Sequence, residues 1–303
     1  MKKILIAAMA IAALAACNKA EVIESNPGEA IQFGNAFVDN ATKATDNTYG
    51  AKELKSFNVY GTVTGTNGTI NIYNGTTVTG TVGSNVWSCP VNQYWIAGAT
   101  YNFAAVVDAN TVNVDGNGMP TTLEYTTAGQ KDLLYASATA TGKASGNGKV
   151  NFTFNHLLAK AQFTVKSNTT NGYYHNVTNI KVNNFETGTY TIAGDGAWAA
   201  GDATDISFGN ITNVTSLDTD GKTNATQMLL IPTATDFTVS FTVEIWNGET
   251  KLGTQNYTKT VAQDLVKGNA YDFNLSLSVG ELIEFTVTSN PTWANETDVN
   301  VTL

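Results

Sequence analysis

The chain has 303 residues, of which only 14% are charged, and a formal net charge of −9 at pH 7. All 16 basic residues are lysines, so the chain lacks the arginine-rich basic face that nucleic-acid binding favours. No nucleic-acid partner is expected. The length fits two ordinary domains or one large β domain, and abundant Thr, Asn and Gly favour strands joined by tight turns.

The N-terminal 16 residues predict an export signal. Two lysines precede an apolar run over residues 4–16, which is shorter than the roughly twenty residues that cross a bilayer as a helix. Leu14 and two alanines directly before Cys17 favour a bacterial lipoprotein signal over an ordinary secretory signal with a chance cysteine. We therefore predict a signal peptide at 1–16 and lipidation of Cys17 by acyl chains such as palmitate.

Residues with catalytic or metal-binding chemistry are scarce. Cys89 is the only cysteine after Cys17, so the mature body cannot form an intrachain disulfide. His156 and His175 are the only histidines, too few to build a zinc site with Cys89. No nucleophile elbow, phosphate-binding loop or dinucleotide fingerprint occurs. The sequence predicts no enzyme, no catalytic residue, no metal and no cofactor.

Apolar residues alternate with polar ones from Leu54 onward, which is the pattern of strands that bury one face. Asn-Gly and Asp-Gly pairs lie between these stretches and favour the positive φ angles of hairpin turns. They include Asn67-Gly68, Asn74-Gly75, Asn117-Gly118, Asp195-Gly196 and Asn247-Gly248. The sequence therefore predicts an all-β fold.

A second series of strands begins near the middle of the chain. The alternation in the strand that contains Phe152 and Phe154 breaks briefly and resumes near Phe163. We place a boundary at residue 155, which gives β domains over 44–155 and 156–280.

Two groups of apolar residues leave alternatives open. Trp87, Tyr94 and Trp95 could form a carbohydrate platform, but their strand-like spacing favours packing in a core. The extension 281–303 holds alternating apolar residues on either side of Pro291. It is either a final hairpin of the same domain or a strand that fills a groove of another molecule. Its apolar residues are Leu282, Ile283, Phe285, Val287, Val299, Val301 and Leu303.

The segment after Cys17 combines a polar spacer, a strand-like stretch over 30–38 and a Thr/Asn/Asp linker that holds Lys43. Together with four internal stretches, this start resembles the fimbrillins of Bacteroidales, the subunits of type V pili. The four stretches are YWIAGATYNFAAV (94–106), QKDLLYA (130–136), FTFNHLLAKAQFTV (152–165) and MLLIPTATDFTVSF (228–241).

The resemblance implies two transthyretin-like Greek-key β-sandwich domains in tandem. It also implies a lipoprotein precursor at the outer membrane, whose first strand is removed by a trypsin-like surface protease. The C-terminal strands of another subunit would then fill the vacated groove, which would give a homopolymer that supports adhesion and joins tip and anchor subunits. An added strand gains backbone hydrogen bonds along a sheet edge and seats alternate side chains.

Carried over to this chain, the resemblance implies a propeptide over 17–43 whose removable strand buries Ile31, Phe33 and either Phe37 or Val38. Lys43 would be the processing site, although arginine is commoner there. Lys52 and Lys55 are alternatives. The extension 281–303 would be the donor strand, which favours a stalk subunit over a tip or anchor subunit. A monomeric surface lipoprotein that binds glycans is the competing interpretation.

Overall fold

The computed structural model describes residues 29–38, 54–81, 86–143, 147–225, 227–278, 284–290 and 301–302. Apart from a short 3-10 helix at Thr127–Gly129, the regular elements of this part are all strands, which confirms the predicted all-β class. In chain order they are β1 Gln32–Val38, β2 Ser56–Gly65, β3 Gly68–Gly80, β4 Trp87–Ser88, β5 Thr100–Val107, β6 Thr111–Val114, β7 Pro120–Thr126, β8 Leu134–Thr141, β9 Lys149–His156, β10 Ala159–Ser167, β11 Tyr173–Phe185, β12 Thr187–Thr191, β13 Ala197–Ala200, β14 Ala203–Val214, β15 Lys222–Thr223, β16 Met228–Leu230, β17 Phe237–Asn247, β18 Thr250–Val261, β19 Ala270–Leu277, β20 Glu284–Asn290 and β21 Val301–Thr302.

The first half of the chain forms a seven-stranded sheet in the order β1-β9-β8-β5-β2-β3-β4. Its two ends meet, because Ala30 before β1 forms an isolated bridge with Tyr94 beyond β4. The sheet is therefore nearly closed into a barrel. Its interior is filled by aromatic and branched side chains, among them Phe33, Phe57, Val59, Tyr73, Tyr101, Phe103, Phe152 and Phe154.

The hairpin turn predicted at Asn74-Gly75 is wrong. β3 continues through Asn74-Gly75, where Gly75 takes φ +68° as the extra residue of a β-bulge opposite β2. A glycine with positive φ suits a bulge as well as a turn, so the dipeptide alone does not distinguish the two. Hairpins are present beside Asn67-Gly68, Asn117-Gly118 and Asn247-Gly248, where they join β2 to β3, β6 to β7 and β17 to β18.

The second half forms two sheets that pack face to face. One has the order β15-β10-β19-β20-β21, with β16 also paired to β10, and the other has the order β14-β11-β17-β18. Rings from the two sheets meet in one core: the ring centroids of Phe163 and Phe208 are 5.1 Å apart, and those of Phe241 and Phe285 are 6.1 Å apart. This half is therefore a β-sandwich.

A fourth sheet, in the order β13-β12-β7-β6, joins the two halves and was not predicted. β7 from the first half pairs with β12 from the second, residues 122–126 against 187–191. The predicted hairpin at Asp195-Gly196 ends this sheet. Gly196 has φ +73°, and a Cβ there would collide with the Tyr190 hydroxyl, so this turn requires glycine. A separate apolar cluster lies under this sheet and draws on both halves: Tyr60, Ala104, Val106, Leu123, Tyr125, Leu133, Leu157, Leu158, Tyr190, Leu229 and Ile231.

The chain passes from the first sheet to the second between the end of β9 at His156 and the start of β10 at Ala159, beside the boundary placed at residue 155. The connection is held from both sides. The Leu157 N–H donates to the Leu133 carbonyl at 3.0 Å, and the Trp198 indole N–H donates to the Leu157 carbonyl at 2.8 Å. The two halves are thus bonded to each other where they join.

Candidate functional site

β1, the strand predicted to be removable, fills the core of the nearly closed sheet. Ile31, Phe33 and Val38 are 5%, 3% and 3% exposed, and only the backbone of Phe37 is described. The Phe33 ring packs against four others, with centroid distances of 5.6 Å to Tyr73, 5.9 Å to Phe57, 6.0 Å to Phe152 and 6.5 Å to Phe103. These spacings suit favourable aromatic pairs, so Phe33 is the main anchor of β1.

Backbone pairing holds β1 mainly along one edge. β1 runs parallel to β9, from Gln32 opposite Lys149 to Val38 opposite Phe154. On its other side the described bonds lie only before the strand: the Ile31 N–H donates to the Gln93 carbonyl at 2.7 Å, and the Trp95 N–H donates to the Glu29 carbonyl at 3.0 Å. A parallel strand bonded along one edge is among the less firmly held elements of a sheet.

The register of β1 on β9 is irregular. Phe33 lies opposite Val150 and Ala36 lies opposite Phe152, so β1 carries one residue more than its partner. Gly34 lies in this bulge, where a Cβ would meet the Asn151 side chain and the Lys149 Cβ at 2.8 Å or closer. The bulge turns Ala36 inward, and among the side chains of β1 that are described, those of Phe33, Ala36 and Val38 are buried.

The aromatic residues considered as a carbohydrate platform do not share one exposed surface. Trp95 is 3% exposed, and its ring centroid lies 4.7 Å from that of Tyr101. Trp87 is half-buried, with its centroid 5.0 Å from that of Phe57. Tyr94 alone of the three is exposed, at 48%. Packing in the core is confirmed for Trp87 and Trp95, and a platform built from all three is wrong.

The extension 281–303 begins within the second half of the molecule. β20 pairs antiparallel with β19 over its whole length, and Phe285 and Val287 are buried in the sandwich core. β21 adds a short pairing with β20, at Val301 opposite Val287. In the unprocessed chain β20 therefore belongs to the sandwich of its own half, and β21 pairs with it. Leu282, Ile283, Val299 and Leu303 lie outside the described residues, and of Val301 only the backbone is described.

The processing and lipidation predictions concern residues outside the described part of the chain. Cys17, Lys43 and Lys52 all lie there. Lys55 is described and exposed, and it directly follows the buried Leu54. Its carbonyl accepts a hydrogen bond from the Gly80 N–H at 2.8 Å. Lys55 is thus part of the folded body.

The histidines take part in the buried polar structure. His156 Nδ1 lies 2.9 Å from Oδ2 and 3.0 Å from Oδ1 of Asp132, and the two side chains are 3% and 0% exposed. Beside His156, a cavity of about 410 Å³ is lined by residues of both halves, and Lys267 Nζ donates to the Tyr190 hydroxyl at its wall at 2.7 Å. No group of three His, Cys, Asp or Glu side chains able to hold a metal occurs among the described residues.

The free energy of unfolding is expected to depend on pH through His175. Burial lowers the pKa of His175 below its usual 6.5, and Nδ1 contacts Ser167 Oγ at 2.9 Å. The unfolded chain therefore binds a proton that the folded chain excludes, and stability is lost as pH falls through 6.5 towards the lower folded-state pKa. Urea titrations at pH 7 and pH 5.5 should show a smaller loss for His175→Gln than for the wild type. An equal loss in both would place the pH dependence elsewhere.

Three solved structures share the fold. A fimbrial protein from Bacteroides vulgatus superposes with a TM-score of 0.61 and 16% identity over 86% of this chain and 98% of its own. Candidate cell-adhesion proteins from Bacteroides uniformis and Bacteroides ovatus give TM-scores of 0.54 and 0.53 with 20% and 17% identity, over 86% and 89% of this chain and 98% and 99% of theirs. At these identities the likeness shows the fold alone. A search of curated proteins found no match.

The sequence profile described as Fimbrillin-like matches residues 42–291, most of the chain. The chain belongs to the Fimbrillin-like family. This family is structural and non-enzymatic, so this fimbrillin is not an enzyme, and as a fimbrial protein it belongs to the cell surface. In the described part of the fimbrillin, no helix is long and apolar enough to span a membrane. The profile begins after β1, so family membership itself says nothing of the predicted propeptide strand.

Proposed function

We propose that this fimbrillin is a structural subunit of a type V pilus that is exported as a lipoprotein and polymerises by strand exchange after proteolysis. The observation that carries the proposal is the way in which β1 is held in the first sheet. Its inward side chains fill an aromatic core, yet its backbone is paired to β9 along one edge. Loss of β1 would leave an apolar groove lined by Phe57, Tyr73 and Phe152.

An open groove of this kind needs a replacement strand. Apolar surface exposed to water costs about 25 cal/mol per Å², and the edge of β9 would be left with unpaired backbone groups. A strand from another subunit can pair its backbone with β9 and place alternate side chains in the groove. It thereby restores both the backbone hydrogen bonds and the burial of apolar surface. Because the donor and the groove are different surfaces, the contact is head-to-tail, and it produces a filament when it does not close into a ring.

The donor in this proposal is the extension 281–303 of a neighbouring subunit. Phe285 and Val287 already serve their own sandwich core, and withdrawing them would open that core. The residues that follow Pro291, with Val299, Val301 and Leu303, can leave while β20 stays paired to β19. The presence of such an extension supports a stalk role.

The remaining parts of the proposal concern delivery. The two halves would correspond to tandem transthyretin-like sandwiches, with the nearly closed first sheet holding the exchangeable strand. Lipid on Cys17 would hold the precursor at the outer membrane until a trypsin-like surface protease that accepts lysine cuts at Lys43. The released subunit would then be held by the polymer, together with tip and anchor subunits, in a fimbria that supports adhesion.

Lys43→Gln should abolish polymerisation. Digestion of the purified full-length precursor with a Lys-specific protease should release the N-terminal strand and give ladders on a gel run without boiling. Lys43→Gln should remain monomeric under the same digestion, because β1 stays covalently attached, and ladders from this variant would place the cut at Lys52 instead. Lys55→Gln is the matched control and should form ladders like the wild type. A wild-type chain that stays monomeric after a confirmed cut at Lys43 would refute strand exchange.

A further inference from the structure

The cavity of about 410 Å³ between the two halves of the fimbrillin takes no part in the strand exchange proposed above. Pockets that hold small ligands usually measure roughly 300–1,000 Å³, and they often lie where domains meet. Residues of both halves line this one, among them Tyr135, Asn155, Leu157, Tyr190, Asp195 and Lys267. Its size and position are therefore those of a ligand pocket.

Backbone hydrogen bonds hold the segments that surround the cavity. The Gly268 N–H donates to the Leu158 carbonyl at 2.8 Å, which ties the loop before β19 to the connection between the halves. The Ile192 N–H donates to the Thr121 carbonyl at 2.9 Å, which ties the β12–β13 hairpin to the first half. The fold thus forms the cavity in advance, and a ligand does not have to order its wall.

The ammonium of Lys267 is fixed at the wall of the cavity. The Val266 N–H, one residue earlier, donates to the Tyr271 hydroxyl at 2.7 Å. Lys267 Nζ donates to the Tyr190 hydroxyl at 2.7 Å and to the Asp195 carbonyl. These are its two hydrogen bonds within the described part of the chain, whereas an ammonium has three N–H donors. One donor is left for a ligand, and the Tyr190 hydroxyl keeps its own proton to donate.

The polar groups at the wall suit an uncharged ligand. Apart from His156, which contacts Asp132, the charged side chains there are Lys267 and Asp195, and their charges are opposite. Phosphate and other polyanions usually bind where several basic groups converge. Asn155 adds an amide that both donates and accepts, and Asn155 and Asp195 are exposed, so a ligand can reach them.

The remaining wall is largely apolar. Tyr135 and Tyr190 contribute aromatic rings, and Leu157 and Ile192 contribute aliphatic side chains. A pyranose sugar has matching surfaces, because its hydroxyl groups need both donors and acceptors and its C–H faces pack against apolar side chains. An acyl chain would cover the polar groups without bonding to them, which is unfavourable. A sugar therefore fits this wall better than a lipid does.

We propose that the cavity binds a neutral hexose unit of a surface glycan. Lys267 Nζ and the Tyr190 hydroxyl donate to oxygens of the sugar. The Asp195 carboxylate accepts from its hydroxyl groups, and the Asn155 amide donates and accepts. The inference gives the adhesion part of the proposed function a ligand class, and it does not depend on strand exchange. Because the wall draws on both halves, the bound sugar also stabilises the folded chain.

Saturation-transfer NMR on the full-length unprocessed chain tests the ligand class. The probes are the methyl glycosides of galactose, glucose and mannose, with inorganic phosphate and sialyllactose as charged comparisons. At least one neutral glycoside should bind, and it should bind more tightly than either charged probe. Binding of no neutral glycoside, or tighter binding of phosphate or sialyllactose, would overturn the proposal.

Lys267→Met tests the location of the site. It removes the ammonium and keeps a long side chain, so the Kd of the bound glycoside should rise at least about tenfold. Lys251→Met is the matched control, because Lys251 Nζ also lies near an aromatic ring, 5.6 Å from the Trp246 centroid, but does not line the cavity. Its Kd should equal that of the wild type. Equal affinities of the wild type and a folded Lys267→Met chain would contradict the proposed site.

Asn155→Ala decides the matter if Lys267→Met does not fold. It removes an exposed side chain from the wall, so urea titrations should show a folded chain, and the Kd should rise about fivefold. An unchanged Kd would place the sugar elsewhere. All these measurements use the unprocessed chain. A failure to polymerise after cleavage would therefore leave this inference standing, and a failure to bind sugars would leave strand exchange standing.

Discussion

Phe33→Ala is expected to lower the free energy of unfolding of the unprocessed fimbrillin by about 3–5 kcal/mol. The Phe33 side chain is 3% exposed and touches four aromatic rings, so truncation leaves a cavity that rigid neighbours cannot fill. Chemical denaturation of the full-length chain would measure the loss. Hydrogen exchange should also speed up at the β9 residues that face β1, because the detached state becomes more populated.

The matched control for this variant is Tyr94→Ala, which removes a large ring from the same end of the sheet. Tyr94 is 48% exposed, so its loss should change stability by less than about 0.5 kcal/mol. If Phe33→Ala were as mild as Tyr94→Ala, β1 would not be seated in the core. If the loss is large while exchange at β9 is unchanged, β1 would unfold only together with the whole domain.

Asp132→Ala is expected to cost about 3–5 kcal/mol, the second of the two largest effects. Asp132 lies two residues before β8 and contacts His156 at the end of β9, at 2.9 Å, with both side chains almost fully buried. Removing the carboxylate deletes its contact with the buried imidazole at the point where the chain passes to the second half. Urea titration of the full-length chain should show the loss.

Asp205→Ala is the matched control, because it removes a carboxylate that contacts a basic side chain at the surface. Asp205 lies 3.4 Å from Lys181, and the two side chains are about half exposed. Hydrogen bonds from Asn183 and Lys181 lower the pKa of Asp205, yet water screens the pair and its removal should cost less than about 1 kcal/mol. Equal effects of the two variants would show that the Asp132–His156 pair contributes no more than a surface contact.

Much of the fold follows from local sequence. The alternation of Val239, Phe241 and Val243 fixed the buried face of β17, and the Asn-Gly pair after it marked the hairpin to β18. These signals work because side-chain direction in a strand has a period of two and because few residues adopt positive φ without strain. The break in the strand pattern also marked a change of sheet, since β10 starts a new sheet three residues after His156.

The sequence did not determine the local structure where the same residues are compatible with two different structures. Asn74-Gly75 carries the signature of a hairpin turn but forms a bulge inside β3. The aromatic residues around Trp95 had two interpretations, and their burial depended on which strands close over them. Sequence spacing could not decide between turn and bulge, because both place glycine at positive φ. It could not decide between core and sugar platform, because both are built from the same aromatic side chains.

By itself, the sequence determined the all-β class, several of the hairpins and the family resemblance, because each depends on residues close together in the chain. The export signal stays a prediction. Only the tertiary structure decided what pairs with what: β1 with β9 more than a hundred residues later, β7 with β12 across the two halves, and Asp132 with His156. Which strands pair depends on how residues far apart in the chain close a common core. The alternation of apolar and polar residues does not identify the partner, because it is the same whichever strand lies alongside. The bulge at Gly34 could be seen only once that pairing was known.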